Sequence, residues 1–369
     1  MPQNTRREWV KLMHSSLYNI HKSYEDNFRL GPVGLKKFKK IKFSLNKKEY
    51  RFLGFPLDFP FGIPAGPLLN SKFIKEAFDF GFPVCVYKTV RADEFPCHPF
   101  PNIVYVKAPE EIHPPIHPRL HEVKTNPSGT SNISITNSFG VPSKKPAVWQ
   151  KDFKKAKKYA KKGKLLILSF MGTVKKDQTQ KEFVEDFVKA AKLAKQTGAK
   201  ALEANLSCPN IGNEGLVCYN LGITETICKE VRKTIGKIPL ILKVGYYKNY
   251  KDVEKISHIT NKYANAISAI NTLAVEVVKK DGTQALPGPN RLKSGVCGAG
   301  IKWAGLEMVK KLNKIRKEKQ YGFQIVGVGG VMTASDYIDY RNAGADLVQS
   351  ATGAMWNPYL AYEVSKKTR

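Results

Sequence analysis

Between Asn205 and Asn210 the chain places two carboxamides, a hydroxyl and a thiol within six positions, Asn205-Leu206-Ser207-Cys208-Pro209-Asn210. The residues just before, Leu202-Glu203-Ala204, suit the end of a buried strand. Pro209 lacks an amide donor and has a fixed φ, so that strand cannot run on through it. Carboxamides can read the amides and carbonyls of a planar polar ligand. A thiol that loses its proton can serve as base or nucleophile. The plainer account of the same residues is a turn capped by Asn side chains, with Cys208 a small buried hydrophobe.

These groups need elements to aim them, and from residue 51 the pattern is strand, polar loop, helix, repeated. Short apolar runs predict strands at Phe61–Ala65, Pro83–Lys88, Leu165–Phe170, Lys200–Asn205, Pro239–Val244, Ala266–Asn271, Phe323–Val328 and Asp346–Ser350. Between them, helical spacing predicts helices over 71–80, 151–162, 181–197, 224–235, 252–263, 305–319 and 334–343. Eight strands with alternating helices make a (β/α)8 TIM barrel of residues 51–369, whose chemistry collects at the C-terminal strand ends. Ala92 to about Pro146 reads as a long irregular excursion after strand two, and excursions of that length are usually functional. Residues 1–50 read as a basic helical extension, with Trp9, Met13, Leu17 and Ile20 on one face of a helix from Arg6 to about Lys22.

The strand ends then supply a set of residues. Strand one delivers Ala65 and Gly66, strand two Lys88 and Thr89, and the excursion Asn137-Ser138-Phe139-Gly140-Val141-Pro142. Strand four gives Asn205 to Asn210, strand five Lys243, and strand six Asn271 and Thr272. Gly329 and Gly330 after strand seven, with Ala351 and Thr352 after strand eight, sit where barrels commonly hold a phosphate on backbone amides. Two lysines at strand ends, no cluster of metal ligands and a phosphate site together suggest an organic cofactor carrying a phosphate, its developing charge met by lysine.

Composition narrows the classes. The chain carries 61 basic and 31 acidic residues, a net +30, which could hold nucleic acid or an anionic membrane. The lysines are spread along the chain and no stacking motif accompanies them, so a solvated surface is the better account. A basic binding protein for nucleic acid or a membrane surface is the rival of a different class. No apolar run approaches the roughly 20 residues of a membrane span, and the first residues lack the apolar core of a secretory signal. Six cysteines without C-x-x-C spacing argue for reduced thiols in the cytoplasm and against a zinc site.

The motifs Asn-Leu-Ser-Cys-Pro-Asn at 205–210, Asn-Ser-Phe-Gly-Val-Pro at 137–142 and Gly-Val-Gly-Gly-Val at 327–331 resemble those of the dihydroorotate dehydrogenases, in the family's order. The resemblance runs from about Leu53 to about Pro358. It implies an FMN-dependent barrel that oxidises (S)-dihydroorotate to orotate in pyrimidine synthesis. Under it Cys208 is the base for the C5 proton while hydride leaves C6 for flavin N5. Lys88, Asn137, Phe139, Gly140, Val141, Asn205, Asn210, Asn271 and Thr272 would hold the substrate. Ala65, Gly66, Lys88, Thr89, Asn137, Asn205, Lys243, Gly298, Gly329, Gly330, Ala351 and Thr352 would line the flavin, with Lys243 at its N1/O2 edge. Cys at 208 matches the soluble class 1 branch, whereas the membrane-bound, quinone-using class has Ser there. A homodimer and a small electron acceptor follow from the same resemblance, while the spread of the lysines leaves no nucleic-acid partner expected. The family's usual Met and final Asn in the second motif are here Phe139 and Ser143, the segment 106–134 is longer, and the front extension is unusual for class 1. These departures bear on the acceptor and on membrane association more than on the reaction. The alternative enzyme is a related FMN oxidoreductase acting on another dihydropyrimidine-like substrate.

Overall fold

The computed structural model describes residues 17–41, 49–125, 130–207 and 216–368. Eight parallel strands close into a barrel in chain order. They are β1 Phe61–Ile63, β2 Val84–Val90, β3 Leu165–Phe170, β4 Ala201–Asn205, β5 Leu240–Val244, β6 Ala266–Ala269, β7 Gln324–Val328 and β8 Leu347–Gln349. Helices Ser71–Asp79, Pro146–Lys157, Gln180–Lys195, Leu221–Ile235, Tyr250–Tyr263, Lys302–Glu318 and Ala334–Ala343 follow β1 to β7. The short Thr352–Trp356 and then Leu360–Lys367 follow β8. The (β/α)8 barrel expected from the strand–helix alternation is therefore the fold.

Period-two alternation sends one set of side chains outward to the helices and the other into the barrel. The inward set changes character along each strand. Val84, Leu165, Ala201, Ile241, Ala266, Val326 and Leu347 form an apolar cluster in the lower barrel. The hairpin Tyr50–Phe52 with Phe55–Leu57 closes this end, burying Phe52 and Leu57 in the same cluster. Further along the same faces stand Lys88, Ser169, Glu203, Lys243, Ser268 and Gln349, all buried. An apolar plug thus carries a polar floor, and the floor lies at the strand ends where chemistry was expected.

Three expectations change. The excursion 92–146 is not irregular: it holds strands Ile103–Lys107, Arg119–Val123 and Ser134–Asn137. They close with Leu273–Val278 and Lys293–Gly298, from the excursion after β6, into a five-stranded second barrel. Each strand is short and its partners lie up to 164 residues away (Ser134 opposite Gly298), so local pattern gave little sign of it. The helix expected over 151–162 is Pro146–Lys157 instead. Pro146 takes the first helical position, where its fixed φ suits the turn and its missing donor costs nothing. Trp149, Phe153 and Ala156 then bury at helical spacing. Of the helix expected from Arg6 to Lys22, residues 6–16 lie outside the described residues and 17–22 are turns. Ser23 caps a new helix, Tyr24–Leu30, by accepting from the Asp26 amide. The Asn27 carboxamide ties that helix back to the Asn19 backbone at 2.8 and 2.9 Å. Leu17 and Ile20 are nevertheless buried, in the same core as the barrel.

Candidate active site

One cavity opens at the C-terminal end of the barrel, offering about 220 Å³ to the centres of water molecules. Every site residue expected from the sequence that lies among the described residues borders it: Ala65, Gly66, Lys88, Thr89, Asn137, Phe139, Gly140, Val141, Asn205, Lys243, Asn271, Thr272, Gly298, Gly329, Gly330, Ala351 and Thr352. Cys208 and Asn210 lie outside the described residues.

The floor is the polar layer of the barrel. Lys243 is 7% exposed and, among the described residues, its ammonium makes no hydrogen bond. Burial pulls its ammonium down from 10.5 to about 8, opposed by the attraction of Glu203. Lys88 is anchored differently: its Nζ donates to the Pro142 carbonyl and, at 3.4 Å, to the Thr89 carbonyl. It also sits 5.5 Å from the centre of the Tyr24 ring, a cation–π contact.

One wall is a hydrogen-bonded hub around Ser207. Asn205 Oδ1 accepts from the Ser207 amide at 3.2 Å and from its hydroxyl at 3.3 Å. Asn271 Nδ2 donates to the Ser207 carbonyl at 2.7 Å and to its Oγ at 2.8 Å. Two strand-end carboxamides therefore fix the residue that immediately precedes Cys208.

The opposite wall is the turn 138–143, held by Arg91. The guanidinium donates to the carbonyls of Val141 (2.9 Å), Gly140 (3.0 Å) and Gly172 (3.1 Å) and to Thr173 Oγ1 (3.1 Å). Its own face stacks on Phe95 at 4.0 Å. The clamp is needed because Val141 has φ +51°, a left-handed backbone that a β-branched residue adopts only under constraint. Arg91→Ala should lower stability by about 2–4 kcal/mol, because it leaves buried carbonyls without donors. The measurement is the urea midpoint; an unchanged midpoint would mean that the turn holds itself.

At the far end the loops after β7 and β8 present bare backbone. Gly329 and Gly330 have φ +127° and +67°. A Cβ at Gly330 would stand 2.6 Å from the backbone of Lys302, so the approach requires glycine. Among the described residues the amides of Gly329, Gly330, Ala351, Thr352 and Gly353 have no acceptor. Gly66, on the cavity border with φ +129°, would place a Cβ in open space. Amides aimed at one point form an anion cradle.

Other residues of the site were missed from sequence. Tyr18 and Tyr24 reach it from the N-terminal segment, and Phe139 packs edge-on to both at 5.6 and 6.2 Å. Cys297 comes from the second barrel, with its Sγ 3.5 Å from Asn137 Nδ2 and 3.5 Å from Thr352 Oγ1. Glu203 stands just before the opening motif, yet only the inward alternation of β4 reveals that it faces the cavity. No group of three potential metal ligands occurs among the described residues. No helix among them is long and apolar enough to cross a membrane.

Comparison with known proteins adds the remaining facts. The sequence profile of a family described as dihydroorotate dehydrogenase matches residues 116–368. A dihydroorotate dehydrogenase of Dictyostelium discoideum is 37% identical over 367 residues, covering 96% of this chain and 97% of that one. The catalytic subunit of the NAD(+)-type dihydroorotate dehydrogenase B of Staphylococcus carnosus is 29% identical over 184 residues, 49% of this chain and 56% of that one. The corresponding subunit of Thermoplasma acidophilum is 32% identical over 169 residues, 46% and 53% of the two chains.

Proposed function

The chain belongs to the dihydroorotate dehydrogenase family, and from that premise we infer that the cavity holds FMN below and dihydroorotate above. The reaction is the family's, oxidation of dihydroorotate to orotate in pyrimidine biosynthesis. The family is flavin-dependent in general; FMN in particular is our proposal. The observation that carries it is the polarity of one cavity: five amides without acceptors at one end and the Lys243 ammonium in its floor. A phosphate and the electron-rich edge of a flavin ring require groups of these two kinds. The bound flavin would supply the hydride acceptor.

The chain's own residues do the rest. Gly329, Gly330, Ala351 and Thr352 would take the phosphate on their amides, and Gly66 leaves room where a side chain would intrude. Lys243 places positive charge where negative charge develops, in a site that burial makes low in dielectric. Asn137, Asn205 and Asn271, with Asn210 and Thr272, offer donors and acceptors matched to the amides and carboxylate of a dihydropyrimidine ring. Lys88, held by the Pro142 carbonyl, and the clamped turn at Phe139, Gly140 and Val141 would fix the ring's orientation. Cys208 would take the C5 proton. Ser207, held by two carboxamides, fixes the point from which the Cys208 segment departs.

The electron acceptor is proposed to be a small soluble molecule such as fumarate, because Cys at 208 is the residue of the soluble branch. The five described cysteines are all free thiols, which supports work in a reducing compartment, the cytoplasm. A homodimer is proposed on the family's habit alone. The test is anaerobic mixing of the purified flavoprotein with dihydroorotate. The flavin absorbance should bleach without any added protein, then return on addition of fumarate. Bleaching by a different dihydropyrimidine and not by dihydroorotate would overturn the substrate, and recovery with a long-chain quinone alone would overturn the acceptor.

A further inference from the structure

Among the described residues bordering the cavity, Glu203 is the one carboxylate, and the mechanism above leaves it unused. It is 1% exposed, and neither carboxyl oxygen has a hydrogen-bond partner among the described residues. Its neighbour Ser169, opposite on β3, pairs its hydroxyl with Thr89 at 2.9 Å and, after Lys243, is the other group that counters the effect of burial on the carboxyl. A buried carboxyl group without a hydrogen-bond partner is costly. The register explains what the group answers to. Glu203 pairs with Ile241 and Asn205 with Lys243, so Glu203 and Lys243 are diagonal neighbours on one inward face.

We propose that Glu203 is the counter-charge of Lys243, a positioning residue on β4 that keeps the neighbouring ammonium protonated beneath the flavin. The proposal rests on the flavin-site assignment made above. Burial acts on the two groups in opposite directions, raising Glu203 and lowering Lys243, and each partner opposes the effect on the other. Each charge favours the other, so the two titrate as a coupled pair. The other ionisable groups on the cavity do not take this role. Lys88 on β2 has its own carbonyl acceptors and the Tyr24 ring. Burial raises the phenols of Tyr18 and Tyr24 and the thiol of Cys297, so these stay neutral. Glu203 therefore supplies, from inside the fold, the condition on which the chemistry at Lys243 depends.

The experiment follows the midpoint potential of the bound flavin, read from its absorbance, against pH in the holoenzyme. In the parental protein the potential should begin to fall more steeply where Lys243 loses its proton, and Lys243→Met should abolish that break. Glu203→Gln should move the break down by about one pH unit or more, a roughly tenfold change in the proton equilibrium. Glu203→Asp, which keeps the charge one methylene further away, should move it less. It also provides the readout if the Gln variant fails to fold. A break that stays in place in both variants overturns Glu203 as counter-charge and leaves the site assignment standing. A parental protein with no break, or a break that survives Lys243→Met, removes Lys243 from the flavin edge and takes this inference with it.

Discussion

Lys243→Met should keep its flavin and its fold while dihydroorotate reduces that flavin about 10²–10³-fold more slowly, the loss that follows removal of one preorganised donor. Methionine nearly preserves the volume of the side chain and removes only the charge, so the effect isolates electrostatics from packing. The same variant should unfold at higher temperature near neutrality. The folded protein holds the Lys243 proton less tightly than the unfolded chain, about 8 against 10.5. The buried charge is therefore a destabilising feature, present in full below about pH 8 and fading as pH rises toward 10.5. That shift corresponds to about 3 kcal/mol, and protonation of the stranded Glu203 limits how much of it the variant recovers. Stopped-flow bleaching and thermal unfolding at about pH 7 and about pH 10 test both halves. A variant that reduces its flavin at the parental rate would remove Lys243 from the chemistry. One that is slow but no more stable would leave the role intact and show that the charge is better solvated than its burial implies.

How much of this was legible in the sequence depended on the range of the interactions involved. The barrel strands carry continuous apolar runs bounded by loops, so β3 was read at Leu165–Phe170, the observed span, and β4 to β8 were read to within two residues at each end. Site residues at strand ends were legible for the same reason: once a strand is placed, its C-terminal neighbour is placed too. The second barrel was not, because Arg119–Val123 buries only Leu120 and pairs with residues of a distant excursion. Tyr18 and Tyr24 were missed because nothing local to an N-terminal segment says that it folds back over a cavity formed far along the chain. Glu203 stands two residues before the most informative motif, yet its meaning needed the register of β4 against β5. Sequence alone showed it as one more residue of a buried strand.

Cys208 is where sequence carries the argument by itself, and the expected effect there is larger still. Cys208→Ala should bind flavin as the parental protein does, because the phosphate cradle and Lys243 lie on other strands. Its reduction by dihydroorotate should fall about 10²–10⁴-fold, the usual contribution of a positioned base. Cys208→Ser is the more discriminating variant. A thiol ionises near pH 8.5 and a hydroxyl far higher, so a site arranged for a thiol leaves the serine protonated near neutrality. The Ser variant should therefore be nearly as slow as the Ala variant at about pH 6 and recover in part toward about pH 9, as more hydroxide becomes available to the site. Neither substitution should alter the clamp on Ser207, whose bonds run through its own backbone and hydroxyl to Asn205 and Asn271. Rates of bleaching for the three proteins across that pH range decide the matter. Unimpaired bleaching in Cys208→Ala would move the base to another group. A Ser variant as fast as the parental protein at neutral pH would mean that the surrounding residues activate the proton acceptor whatever its own acidity, and the thiol would then cease to distinguish this branch of the family.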